Sequence, residues 1–222
     1  MINRLPHWAW IGAWVLAFVA GTVNVVGLLG FEHQAITHLT GSTSMLAIGL
    51  ATGDARDIFH FAGILGAFVL GTVLSGFIIQ NHAFQLGRRY GLALILESAL
   101  LFIAVPLLNR HELKGLYCAA CACGLQNAMT TTYSGTIIRS THLSGMITDL
   151  GIALGNRLRR LPVDVKRVRM CLLIISGFLC GGIIGAVAYR GLQADTLFIP
   201  AGITAAMSIG YGIYRLRKKF RS

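Results

Sequence analysis

Two short stretches of the chain hold the residue types best suited to handling a solute: Thr37-His-Leu-Thr-Gly-Ser-Thr-Ser44 and Thr141-His-Leu-Ser-Gly145. At a helix start the first N–H groups lack partners and the helix dipole is positive. Thr40, Gly41, Ser42, Ser144 and Gly145 would there supply hydroxyl caps and outward donors for an anion or a carboxylate. His38 and His142 head the two stretches, and an imidazole titrating near neutral pH can couple a proton to solute movement. Asn24 and Asn127, with Gln126 beside the latter, are amides in apolar sequence that must bond either a solute or nearby backbone. Glu97 and Asp149 are expected at membrane depth, where an ionised carboxylate is costly and acids mark proton or cation pathways. Each residue also has a plain structural reading, as a helix clamp, an ion-pair partner or a small packing residue.

Other chemistries find no support. His-Glu-x-x-His, Gly-x-Ser-x-Gly and Gly-x-x-x-x-Gly-Lys do not occur, so no covalent catalysis or phosphate cradle is expected and the chain is read as a non-enzyme. Cys118, Cys121, Cys123, Cys171 and Cys180 all lie in uncharged segments. Neither a disulfide framework nor a metal or cofactor site is expected from them.

The elements that must position these residues follow from composition. With 55% hydrophobic and 12% charged residues, the chain cannot furnish a water-facing surface. Its charges separate long uncharged runs: Leu5 to Phe31, His33 to Gly53, Ile58 to Gly87, Gly115 to Ile138, Met170 to Tyr189 and Thr196 to Tyr214. Tyr90 to Asn109 is broken only by Glu97. A span needs about 20 apolar residues, which all but the second of these runs supply. In that run the apolar part, about Leu39 to Ala51, makes a helix of only about 20 Å, too short to cross. Thr141 to Gly155 is a second short stretch of that kind. Arg4 before an apolar run resembles a signal peptide, but the run has the length of a span and a counterpart in mid-chain, so a retained helix is expected.

That counterpart belongs to an internal repeat. Thr37 to Leu50 and Thr141 to Leu154 agree at 7 of 14 positions. Gly21-Thr-Val-Asn24 matches Gly124-Leu-Gln-Asn127, and Phe68-Val-Leu-Gly71 matches Phe178-Leu-Cys-Gly181. The expected fold is an all-α membrane protein of two repeated halves, 1–110 and 111–222, within a single membrane domain. Each half holds three long transmembrane helices and one short helix. Short helices that cross give parallel four-span halves; short helices that re-enter give inverted three-span halves. With the N-terminus inside, both arrangements place 15 of the 19 basic residues on the cytoplasmic side. The loops favour inversion over parallel halves: Asp54, Arg56 and Asp57 follow the first short helix, whereas six Lys and Arg residues between Arg157 and Arg169 follow the second.

A net charge of +11 would suggest nucleic acid in a soluble chain, but these basic residues flank spans or close the C-terminus. The expected partners are a lipid bilayer and a small polar solute, not nucleic acid, with self-association left open. The motifs Gly21-Thr-Val-Asn-Val-Val-Gly27, Thr40-Gly41, Gly124-Leu-Gln-Asn-Ala128, Ser144-Gly145 and Thr148-Asp149-Leu-Gly151 resemble the YoaK family of small bacterial membrane proteins. The resemblance covers most of the chain. It implies an inner-membrane protein of about six spans, with no settled biochemical function. There are departures: that family often has an acid at the place of Asn24, an Asn at that of Ser42 and a Thr at that of Ser144. Two functions are expected: a permease of a small polar solute such as an anion, with both termini cytoplasmic, or a non-transporting protein that docks a partner through the basic loop or acts on lipid.

Overall fold

The computed structural model describes residues 7–30, 32–79, 89–134 and 141–219, and among them the chain is helical with no strand. The run ends at Leu5, Phe31, Gly87 and Ile138 lie outside the described residues, as do Arg4, Arg88, Arg139 and Arg221. The helices are α1 (His7–Leu29), α2 (Leu39–Thr52), α3 (Ala55–Ile78), α4 (Arg89–Asn109), α5 (Leu113–Ser134), α6 (Leu143–Leu158), α7 (Val165–Leu192) and α8 (Phe198–Lys219). A 3-10 turn, Gln193–Leu197, joins the last two.

Local sequence sets the boundaries. Gly53 closes α2 in the left-handed conformation, φ 73°, which glycine adopts without strain. Asp54 then caps α3, accepting from the N–H groups of Arg56 at 2.9 Å and Asp57 at 3.3 Å. Asp164 caps α7 in the same manner, accepting from Lys166 at 3.0 Å and Arg167 at 3.2 Å. Pro162 lies in the connector before that cap, where no helical hydrogen bond is lost.

Among the described residues, four helical stretches are long and apolar enough to cross a membrane: Trp8–Leu29, Ala55–Ile78, Arg89–Asn109 and the continuous Val165–Tyr214, which takes in α7, the turn and α8 as far as Tyr214. The run expected to span from Gly115 became α5, a helix of 22 residues that is not among them. Ala119 to Cys123, Leu125, Gln126 and Met129 of α5 are all buried. A helix enclosed by other helices needs no apolar coat against lipid, so its sequence reads as less membrane-like than its surroundings.

Contacts between helices fix their directions. Along α1 and α7, Trp14 meets Ser176, Phe18 meets Gly181 and Thr22 meets Gly185, so the two run parallel. Along α3 and α5, Gly63 meets Tyr117 and Phe68 meets Gly124, again in parallel. Ser98 of α4 donates to the Ala201 carbonyl and Ser208 of α8 donates to that of Gly91, both at 2.8 Å, which makes this pair antiparallel. The end of α1, the end of α4, the start of α5 and the end of α7 line one common pocket. Consecutive long helices therefore alternate in direction.

Glycine makes the two parallel contacts. A Cβ on Gly21 would collide with the Phe178 carbonyl and one on Gly181 with that of Phe18; Gly124 stands likewise against Phe68, and Gly71 against Cys121. In lipid, where apolar side chains gain little by meeting one another, such close backbone approach is a main source of association. The first helix of each sequence half thus packs chiefly on a helix of the other half, and both core clusters draw on residues from 1–110 and 111–222.

Candidate functional site

α2 begins inside the bundle. Asn24 of α1 is buried, and its Oδ1 accepts from the Thr37 backbone N–H at 3.1 Å and the Thr37 hydroxyl at 2.9 Å. The His38 ring follows, with Nδ1 3.1 Å from the Thr37 hydroxyl, and packs edge-on against Phe178 of α7 at 5.9 Å. Phe178 is also where Gly21 seats, midway along α1 and α7. α6 begins from the same arrangement: Asn127 of α5 donates through Nδ2 to the Thr141 hydroxyl at 2.7 Å, and His142 follows. His142 lies within electrostatic reach of the His38 ring. The two short helices thus start from equivalent clamps on α1 and α5, each led by a histidine.

The hydroxyls do not act as expected. His38 and His142 are the N-cap residues, and neither helix has a side-chain cap bond. Thr43, Ser44 and Thr148 instead donate back to the carbonyls of Leu39, Thr40 and Ser144 at 2.9, 3.0 and 2.9 Å. Hydroxyls within a helix have a carbonyl one turn back in reach, and that bond wins over capping. Thr40, Gly41 and Ser144 are exposed at the heads, while the His142 ring covers Gly145. Ser42 turns the other way: it is 2% exposed and its hydroxyl has no hydrogen-bond partner among the described residues. The heads therefore present backbone N–H donors, two imidazoles and hydroxyl oxygens, with no permanent charge. Such a set suits a small polar or anionic solute.

The remaining predicted residues divide. Gln126 is buried and donates through Nε2 to the Leu16 carbonyl of α1, so its amide serves the contact between α5 and α1. Asn24 and Asn127 likewise spend their principal bonds on clamping the heads, although Asn127 Oδ1 is buried with no hydrogen bond. Glu97 lies inside the bundle at 1% exposure, near Cys123 of α5, and its Oε2 has no hydrogen-bond partner. It is distant in sequence from both heads and no contact joins it to them among the described residues. Asp149 has a partner that the sequence reading did not supply. Arg167 of α7 grips it with Nη2 2.9 Å from both carboxylate oxygens and Nε 3.2 Å from one. Its carboxylate is committed to joining α6 to α7.

Thr37 and Thr141 were not singled out, yet they receive the clamp in each half. Their signal was available: both are identical in the aligned stretches and directly precede the histidines. Phe178 was seen only as a repeat marker, and nothing local shows that it will meet His38, 140 positions away.

One family model, described as a protein of unknown function (DUF1275), matches residues 12–210. No curated protein and no solved structure matches the chain.

Proposed function

We propose, for a chain that belongs to the DUF1275 family of proteins of unknown function, that it is a multi-pass permease of a small polar, anionic solute in a bacterial inner membrane. The observation that carries the reading is the pair of equivalent polar heads on α2 and α6, each led by a histidine and clamped by an asparagine, with His142 within electrostatic reach of His38. Unpaired N–H groups and positive helix ends at such heads are the features from which carriers with interrupted helices build an anion site.

In this reading the halves are inverted and the short helices re-enter. Alternation of the six long helices supports it, because α2 starts beside Asn24 within the bundle yet ends beside the start of α3. α6 does the same from the opposite end, leading from Asn127 to α7. The termini then share the face that holds the basic connector and 15 of the 19 Lys and Arg residues, which makes that face cytoplasmic. Movement of one half against the other opens the heads to each side in turn. Glu97, buried without a cation beside it, is the acid available to couple a proton to this movement; Asp149, with Arg167, latches the later part of α6.

The test is electrical. Proteoliposomes on a solid-supported membrane, given a panel of small carboxylates and inorganic anions, should show a transient current for at least one. A Thr40→Val, Ser144→Val double variant should lose it while remaining folded; a current that survives both changes would remove the heads from the pathway. Aqueous labelling of single cysteines placed at Arg89 and Lys114 in a cysteine-free background tests the topology. Inverted halves require the first to label from the cytoplasm and the second from outside.

A further inference from the structure

The geometry points to a lipid site between the outer ends of α1 and α8, a cavity that takes one acyl chain of an anionic phospholipid from the leaflet on the side of the chain termini. It stands independently of the solute reading above. The aligned repeat sets Gly12 of α1 opposite Gly115 of α5 and makes the α8–α1 seam the counterpart of the α4–α5 seam. The second seam is closed: the Leu108 side chain fills the space over Gly115, leaving only 2.7 Å to where a Cβ would stand. The first is open: among the described residues no atom outside α1's own backbone stands within 4 Å of the same point on Gly12.

The opening leads into a cavity of about 450 Å³ lined by Trp8, Leu16, Leu94, Met129 and Met207, among other apolar residues. Its mouth faces sideways, since Ile11 is 68% exposed and Tyr214 60% exposed. A space of that size walled by apolar side chains is unfavourable for water, and lipid tails match its walls. Trp8, Tyr211 and Tyr214 mark the level of the headgroups, where amphipathic rings collect. Exposed Arg89 opens α4 next to Tyr90, which lines the cavity, and sets a positive charge at the rim. In sequence the basic run Arg215-Leu-Arg-Lys-Lys219 follows directly on Tyr214. That charge selects a headgroup of opposite sign, so the occupant is an anionic rather than a zwitterionic phospholipid.

All three tryptophans, Trp8, Trp10 and Trp14, lie on α1, which gives a direct readout. The full-length Trp10→Phe, Trp14→Phe protein in phosphatidylcholine vesicles should have its Trp8 fluorescence quenched about twofold more by a minor fraction of dibromo-phosphatidylglycerol than by the same fraction of dibromo-phosphatidylcholine. Gly12→Phe, which fills the cavity, should abolish that excess. Arg89→Gln leaves the cavity open and should reduce the excess, so the assignment does not depend on the fold of one variant. Equal quenching by the two lipids would overturn the anionic site, and an excess unchanged by Gly12→Phe would place the lipid elsewhere. Absence of any excess, with cysteines at Ile11 cross-linking between copies, would give the cavity to a second chain and overturn the proposal.

Discussion

α2 and α6 begin alike and end differently. Each head follows a histidine and is clamped by an asparagine through a threonine. α2 then lies close on α3, with Gly49 buried, only 3.1 Å between its ideal Cβ position and the Cβ of Asp57, and a left-handed Gly53 turning the chain at once into the next helix. α6 has 16 residues against 14, buries only Met146, and reaches α7 through the Asp149–Arg167 pair. Contact at close range holds the first short helix along its length. A clamp at one end and an ion pair farther along hold the second, and such a pair is weak where water and salt reach it. Of the two, α6 is the less firmly seated.

The heaviest blow would fall on the frame that both helices share. Gly21→Val and Gly124→Val each drive a side chain into a backbone carbonyl and should each cost more than about 4 kcal/mol, with loss of the monodisperse protein on size exclusion. Unequal damage would break the equivalence of the halves. The clamps come next. Asn24→Ala removes two hydrogen bonds and strands the buried Thr37 N–H, at about 1–3 kcal/mol, whereas Asn127→Ala removes one side-chain bond, at about 1 kcal/mol. Thermal unfolding in detergent would rank them, and the reverse order would sink the account of the heads.

Glu97 is an asymmetry between the halves, since its counterpart in the alignment is near Ala201. Glu97→Gln keeps the shape and the capacity to donate a hydrogen bond. Stability should change by no more than about 0.5 kcal/mol, while the pH dependence of any solute current should disappear; a current with its pH profile intact would remove Glu97 from proton coupling. The smallest effect is at the α6 latch. Arg167→Gln should cost at most about 1 kcal/mol, yet tryptic cleavage in the connector after Leu158 should quicken, as it should for the unaltered protein in high salt. Salt-insensitive cleavage would mean that α6 is as firmly seated as α2.

Much of this was legible in the chain itself. The short segments, read as about Leu39 to Ala51 and Thr141 to Gly155, became Leu39–Thr52 and Leu143–Leu158, because polar heads and apolar lengths are local features. The matched glycines and asparagines were visible as repeat markers, although the backbone carbonyls they would meet were not. The hydroxyl caps failed because the helices start at Leu39 and Leu143, which puts Thr40, Ser42 and Ser144 inside them and leaves the cap positions to His38 and His142. Asp149 was placed by its depth in an apolar run, and no local pattern announced Arg167, 18 residues on, as its partner.

By itself the sequence determined the solvent and the elements. Too few charges for a water-facing surface, runs long enough to cross a bilayer and two short polar-headed segments follow from composition and periodicity, which need no knowledge of neighbours. Only the tertiary structure decided which helix lies on which. α1 meets α7 and α5 meets α3, so two histidines 104 positions apart in the chain come within electrostatic reach, while among the described residues the seam at Gly12 stays open where that at Gly115 is filled. Those outcomes depend on backbones approaching within the space of a missing Cβ, and that fit is a property of pairs of distant residues rather than of any one stretch.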